Sequence, residues 1–438
     1  GLVGSEMCIR DRIRTMQKII RKITNGLKGS VTIPSDKSIS HRAVMFASLA
    51  KGKSIIKNFS KGQDPLSSLK VCRALGIDAQ LNEDLIINSS GKLSAPITAL
   101  DCGNSGTTMR LMSGILAGQN FNSVLIGDES LSKRPMKRVI EPLTLMGGEI
   151  QSNGYKSPLK VNGKKLHSID YVSKLASAQV KSCILLAGLY AEGKTTFTEP
   201  YISRDHTERM LKYMGANICT DKNTVTIEKS ELEGKTIEIC GDISSAAYFI
   251  AAGLIVPNSQ IILKNTGLNP TRTGIIEAAL KMGGNVEILD KKTVSGEEVG
   301  DIKISYSDLK SCIIEGEIIP RLIDELPVIA VMATQAEGTT VIKDAQDLRN
   351  KESDRIKAVV TELQKLGADI EETQDGFIIN GKKALKGGAE VETYHDHRLA
   401  MSLFVAGLIC ENPVSINGFE WVDISFPEFD QLFNTLTL

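Results

Sequence analysis

Positively charged side chains stand in this chain where helix physics disfavours them. Lys37, Arg42, Arg134, Arg204, Lys351, Arg355 and Arg398 lie in or beside Ser35-Asp36-Lys37-Ser38-Ile39-Ser40-His41-Arg42, Lys133-Arg134-Pro135, Ser203-Arg204-Asp205, Lys351-Glu352-Ser353-Asp354-Arg355 and His395-Asp396-His397-Arg398, all of which read as helix starts. The partial positive charge of a helix N-terminus penalises a cation there by about 0.3–1 kcal/mol unless an anion sits between them. Helix-start N–H groups bind phosphates and carboxylates, and arginine adds planar two-point contacts. Singly, each of these residues is as well explained by a capped, solvated surface loop. As a set they point to small anionic ligands.

Two acids could move protons. Asp324 follows Leu322-Ile323 and, after Glu325, precedes Leu326-Pro327-Val328-Ile329-Ala330. A carboxylate so flanked by apolar residues is either a helix cap or a base tuned by its surroundings. Glu352 is wedged between Lys351 and Arg355; with cations so close its charged form is favoured, which suits a proton acceptor near a phosphate site.

Two further motifs read as decoys. Gly188-Leu189-Tyr190-Ala191-Glu192-Gly193-Lys194-Thr195 fits the phosphate-loop pattern letter for letter. A true phosphate loop follows a strand and opens a helix, whereas here Gln179 to Leu189 reads as helix and Thr195-Thr196-Phe197-Thr198 as strand. His395-x-His397 has metal-ligand spacing without a third His or Cys nearby, and reads as capping or hydrogen-bonding instead.

The elements that must position these residues come as repeats. Gly- or Asn-centred turns recur at 52, 118, 193, 258, 338 and 412, separated by 66, 75, 65, 80 and 74 residues. A second series, Leu75-Gly76-Ile77, Met146-Gly147-Gly148, Met214-Gly215-Ala216, Met282-Gly283-Gly284 and Leu366-Gly367-Ala368, marks helix C-termini with strands beyond. Each unit reads as β-α-β-α-β-β, so the fold class is α/β with six duplicated units. Every unit presents two helix starts, and these carry the cations.

Composition narrows the function. The 438 residues hold 52 Lys plus Arg and 52 Asp plus Glu, for zero net charge. No global field draws nucleic acid or an anionic membrane, and any anion binding is local. The eight cysteines are never closer than 21 residues, so no CxxC pair exists and a reduced, cytoplasmic protein is expected. No stretch reaches the ~20 apolar residues of a membrane span. Residues 1–15 share no periodicity with the repeats, and we expect them to be a non-native or disordered extension, with Met16 the natural start.

The loops quoted above, with Gly103-Asn104-Ser105-Gly106-Thr107, Lys133-Arg134-Pro135-Met136, Ser177-Ala178-Gln179, Asp396-His397-Arg398-Leu399-Ala400-Met401 and Ser425-Phe426-Pro427, closely resemble the 5-enolpyruvylshikimate-3-phosphate synthase family, in order, from Met16 to the C-terminus. The resemblance implies two similar domains of three units each, the inside-out α/β barrel of the enolpyruvyl transferases. One domain would be residues 35–240, the other 16–34 plus 241–438, with the active site between them. It implies transfer of the enolpyruvyl group of phosphoenolpyruvate to the 5-hydroxyl of shikimate 3-phosphate, on the route to chorismate and the aromatic amino acids. No metal or organic cofactor and no macromolecular partner would be needed, and the protein would be a monomer.

By the same resemblance Lys37, Ser38, Arg42, Ser177, Ala178, Gln179, Arg204, Asp324 and Lys351 would line the shikimate 3-phosphate site. Lys37, Gly106, Arg134, Gln179, Arg355 and Arg398 would hold phosphoenolpyruvate. Asp324 is assigned as the base for the attacking hydroxyl, and Lys37 and Glu352 compete to protonate the methylene carbon. Three positions depart from the commonest pattern: Ala178 for a second serine, Asp347 for an asparagine, and Ile424 for a lysine before Ser-Phe-Pro. The related transferase acting on UDP-N-acetylglucosamine typically carries a reactive cysteine before the Arg134-Pro135 equivalent, and Asp128-Glu129-Ser130-Leu131-Ser132-Lys133 has none. A non-catalytic anion-binding scaffold would keep the turns and caps without needing Asp324 and Glu352.

Overall fold

The computed structural model describes residues 17–437; the expected extension at 1–15 and start at Met16 lie outside the described residues. The second unit shows the repeat most plainly. Leu100–Asp101 runs parallel to Asn122–Ile126, which pairs antiparallel with Lys156–Asn162, itself antiparallel to Glu149–Asn153. Between the strands lie the helices Gly106–Ala117 and Lys137–Leu145, the latter preceded by the short helix Glu129–Lys133. Along Lys156–Asn162 the buried Leu159 and Val161 alternate with exposed Lys156, Pro158 and Lys160, the pattern of a sheet with one wet face.

The first helix of each unit is buried nearly all round. Ile243–Ile255 has every residue buried, and in Ala178–Gly188 everything from Val180 onward is buried. A helix apolar on all sides belongs in a core, so helices fill the interior and sheets cover them. Gly106–Ala117 and Ala178–Gly188 approach so closely that a Cβ on Gly114 would lie 2.1 Å from the Cys183 carbonyl oxygen. Only glycine allows that crossing. Six separate sheets of three to five strands result, not joined into one closed barrel among the described residues.

The second glycine series ends helices as its spacing predicts: Gly76, Gly147, Gly215, Gly283 and Gly367 all take positive φ, from 79° to 97°. After Gln63–Ala74 the Gly76 N–H donates to the Arg73 carbonyl and the Ile77 N–H to Cys72, satisfying carbonyls the helix leaves open. The turn series is less uniform. Gly52, Gly193, Gly338 and Asn258 have positive φ, whereas Gly118 has φ −90° and abuts Tyr190, whose ring lies 2.7 Å from where a Cβ would stand.

Three sheets are completed by strands distant in sequence. Thr236–Glu238 adds parallel to Ala50–Lys57, Lys28–Thr32 parallel to Gln260–Gly267, and Gln17–Ile20 antiparallel to Val414–Asn417. Two hydrophobic cores follow: one joins Ile20–Ile33 to residues 243–436, the other gathers residues 39–240 with Val299. The chain passes between them at two adjacent strands, where the Asp36 N–H donates to the Cys240 carbonyl and the Asp242 N–H to Pro34, each at 2.8 Å.

Candidate active site

A cavity of about 550 Å³ opens between the two cores, lined by residues from both. On the first wall, Lys37 and Ser38 open the helix Lys37–Leu49, whose cap Asp36 accepts from the Ile39 N–H. Lys37 Nζ lies 3.0 Å from Asp64 Oδ2. Gly106 begins its helix behind the Ser105 cap. Gln179, the second residue of Ala178–Gly188, accepts from Arg110 Nη1 at 2.5 Å and donates to Thr107 at 3.0 Å. Arg134 ends Glu129–Lys133 and donates to Asn104 Oδ1 at 2.8 Å, while Arg204 precedes His206–Tyr213.

The facing wall brings Asp324, Lys351, Glu352, Arg355 and Arg398. Arg355 and Arg398 occupy the first turns of Arg355–Lys365 and His397–Gly407. The Asp396 side chain caps the latter helix through the Arg398 N–H and also accepts from Arg355 Nε at 2.8 Å. Asp324 is no cap: Leu326–Thr334 starts after Glu325, and Asp324 accepts instead from Arg204, from Lys351 at 3.3 Å and from Arg355 at 3.4 Å. Of the two sequence readings of this residue, the cap therefore falls. Glu352 lies 2.6 Å from Arg355 and 3.9 Å from Arg134.

Burial alone would favour the neutral form of both acids, yet both carboxyls are held well below the usual range. For Asp324 burial is outweighed by Lys351, Arg204, Arg398 and Arg355; for Glu352, by Arg355 first and then by Arg134 and Lys37. Both are therefore carboxylates. His397 is pushed down to about 3, by burial first and then by Lys37 and Arg398, and is a neutral imidazole. Lys37, Arg134, Arg204, Lys351, Arg355 and Arg398 each have a protein carboxylate within 3.9 Å, an arrangement that an incoming anion can enter by exchange rather than by desolvating a bare charge.

Every residue predicted from the sequence lines this cavity except Arg42. Arg42 is 2% exposed and donates to the Ser38 carbonyl, Thr207 and Ser182, at 2.9, 2.7 and 3.0 Å, so it braces Ser38 from below. Ile424 closes the short helix Phe419–Ile424 and does not reach the cavity. His395 stacks on Trp421 at 4.5 Å, and among the described residues no group of three His, Cys, Asp or Glu is placed to hold a metal ion. The phosphate-loop lookalike is a helix ending at Gly188 and a strand starting at Lys194, the order expected of a repeat turn. Sequence reasoning missed Asp64, Arg110, Arg138 and Arg272, which also line the cavity. Arg110 stands four residues beyond Gly106 on the same helix, and that spacing could have found it; Arg138 lies on the helix after the one that Arg134 ends, and no such spacing marks it.

Fold and site together define a class: a two-core α/β protein with buried helices, covering sheets and a cleft lined by cations paired with carboxylates. The family model for EPSP synthase (3-phosphoshikimate 1-carboxyvinyltransferase) matches residues 21–433. The 3-phosphoshikimate 1-carboxyvinyltransferase of Thermodesulfovibrio yellowstonii is 53% identical over 430 residues, covering 96% of this chain and all of the relative. That of Bacillus licheniformis is 52% identical over 411 residues, 92% of this chain and 96% of the relative. A solved EPSP synthase structure from Acinetobacter baumannii superposes with a TM-score of 0.87 at 42% identity, covering 96% of this chain and 98% of that one. The chain belongs to the EPSP synthase family.

Proposed function

We infer that this cleft carries out its family's reaction, transfer of the enolpyruvyl group from phosphoenolpyruvate to the 5-hydroxyl of shikimate 3-phosphate with release of phosphate. One observation carries the assignment of residues: Lys37, Arg134, Arg204, Lys351, Arg355 and Arg398, drawn from segments far apart in sequence, converge with Asp324 and Glu352 on one cavity. Two substrates bearing phosphates and carboxylates repel each other, and that set of cations offsets the repulsion. Each charge-assisted contact contributes about 1.5–3 kcal/mol.

In our assignment Ser38, Ser177, Ala178, Gln179, Arg204 and Lys351 hold shikimate 3-phosphate, with Arg42 bracing Ser38. Gly106, Arg134, Gln179, Arg355 and Arg398 hold phosphoenolpyruvate, and Lys37 touches both. As the substrate anions take over Arg204, Lys351 and Arg355, Asp324 loses the partners that keep it weakly basic and becomes able to accept the hydroxyl proton. The hydroxyl oxygen bonds to C2 while C3 gains a proton. Lys37 is the better-placed donor, because Glu352 is ionised and has no proton to give. Loss of a C3 proton with departure of phosphate then restores the double bond. Glu352, beside Arg355 and Arg134, is placed to take that proton.

We place the domain division at 35–240 against 16–34 plus 241–438, around the crossing at Asp36 and Asp242. The site is complete within one chain, which suits a monomer, and the free thiols among the described residues suit the reducing cytoplasm. Asp324→Asn and Glu352→Gln separate an enzyme from an anion-binding scaffold. Both should bind the substrates within a few-fold of the parent in calorimetry while turnover falls about 10²–10⁴-fold. Undiminished turnover in either variant refutes its assigned role.

A further inference from the structure

Arg110, Arg134 and Arg138 crowd one wall of the cleft. The Arg110 guanidinium is brought down to about 10, by burial first and then by Arg134 and Arg138, with Glu352 and Asp347 pulling the other way. Those two carboxylates stand on the opposite wall. Leu348, next to Asp347, belongs to the core of residues 243–436, whereas Val139 and Ile140, next to Arg138, belong to the core of residues 39–240. Attraction between these walls therefore acts across the cleft.

The cross-cleft pairs are of two kinds. Arg204 with Asp324 and Arg134 with Glu352 use cations assigned above to the substrates, so substrate anions compete for them as they enter. Arg138 and Asp347 carry no such assignment. Their contact has two points, Nη2 to Oδ1 at 3.1 Å and Nη1 to Oδ2 at 3.4 Å, the planar geometry that distinguishes arginine–carboxylate pairs from point-charge contacts. Asp347 sits in the short helix Gln346–Asn350, which leads directly into Lys351 and Glu352, and Arg138 is in the first turn of the helix Lys137–Leu145, which begins three residues after the Arg134 that ends Glu129–Lys133. Fixing this pair fixes the spacing between Glu352 and the arginines it faces.

We propose that Arg138 and Asp347 are a positioning pair for the transfer reaction, a latch across the cleft that keeps the Lys351–Glu352 wall against the Arg110–Arg134 wall while substrate anions displace the other cross-cleft contacts. The proposal rests on the functional reading above. Both side chains are half-exposed, 48% and 36%, so their pairing shifts the closed state by up to about fivefold.

The test compares the parent with Arg138→Ala, Asp347→Asn and the exchanged chain carrying Arg138→Asp with Asp347→Arg, by steady-state kinetics on shikimate 3-phosphate and phosphoenolpyruvate. Each single change should raise KM for both substrates by about two- to fivefold, with kcat within about twofold and thermal midpoint unchanged. The exchanged chain should return KM to within about twofold of the parent. The gap between single variants and parent should close at about 1 M salt, where the Debye length is near 3 Å. An exchanged chain as poor as the two single effects combined would mean that each side chain acts separately, and would overturn the latch; so would singles with unchanged KM. If the parent does not turn over these substrates, the functional reading fails by itself. The latch is then judged from the substrate-free radius of gyration in small-angle scattering, which should grow in both single variants and revert in the exchanged chain. An unchanged radius overturns it.

Discussion

Asp324 and Glu352 look like poor catalysts at first sight, because carboxyls held well below their usual range are weak bases. Their partners resolve the difficulty: Lys351, Arg204, Arg398 and Arg355 hold Asp324 down, and these are the groups that anionic substrates would engage. Arg134 tests this exchange at one position. Its guanidinium touches Asn104, Ser130 and, at 3.9 Å, Glu352, none of which belongs to the hydrophobic cores. Arg134→Ala should weaken phosphoenolpyruvate about 10- to 100-fold, as expected for one lost charge-assisted contact, while the thermal midpoint moves by about 2 °C or less. Matching losses in affinity and midpoint would instead mark a structural salt bridge. Two buried histidines make a separate prediction. His41 and His397 are pushed from 6.5 to about 3, by burial first, and stay neutral in the folded chain. Between those values the unfolded chain binds protons that the folded chain does not, so stability must fall as pH drops. Each histidine contributes a slope of about 1.4 kcal/mol per pH unit. Below about 4.5 the depressed carboxylates add in the same direction. Urea midpoints measured from pH 6.5 to 5 should show this slope, and His41→Gln should remove about half of it; a flat profile contradicts the assignment. Sequence singled out Asp324, Glu352 and the cations that share one cavity, because helix-start chemistry is local. It did not reveal that Arg42 turns beneath the floor, since that depends on Thr207 and Ser182 arriving from other helices.

At the scale of elements the glycine series was the clearest signal. The C-terminal glycines all adopt positive φ, because the chain must leave each helix through a left-handed residue to reach the next strand. Gly283 isolates that cost: its φ is +79° and nothing stands within 4 Å of an added Cβ. Gly283→Ala should therefore destabilise by about 1–2 kcal/mol through backbone strain alone, leaving kcat and KM unchanged. Gly147→Ala should cost more, because its Cβ would lie 3.0 Å from the His167 ring. Urea denaturation of both variants checks the order, and equal losses would contradict it. Gly118 also sits at a turn as read, but there a neighbouring aromatic ring, not a left-handed backbone, excludes a side chain. The order of helix and strand around Gly193 was legible from the β-branched and aromatic run Thr195-Thr196-Phe197-Thr198 after a helix, which is why the phosphate-loop pattern could be set aside.

The whole molecule was legible only in part. Periodicity gave the number of units and their internal order. It could not show that the sheets of Ala50–Lys57, Gln260–Gly267 and Val414–Asn417 borrow strands from 236–238, 28–32 and 17–20, since strands of three to five residues carry almost no pattern of their own. Those borrowed strands tie the first part of the chain to its second half and leave Asp36 and Asp242 side by side at the crossing. Buried there, Arg272 lies 3.7 Å from Asp36 and 3.5 Å from Asp242. Such a cleft, on closing, would bring two sets of cations together and exclude water. Its purpose is tested most directly by phosphate release from phosphoenolpyruvate, with shikimate 3-phosphate as acceptor, no metal added, and UDP-N-acetylglucosamine as the control acceptor. Release with shikimate 3-phosphate alone is the predicted result; release only with the nucleotide sugar, or with neither acceptor, contradicts the account.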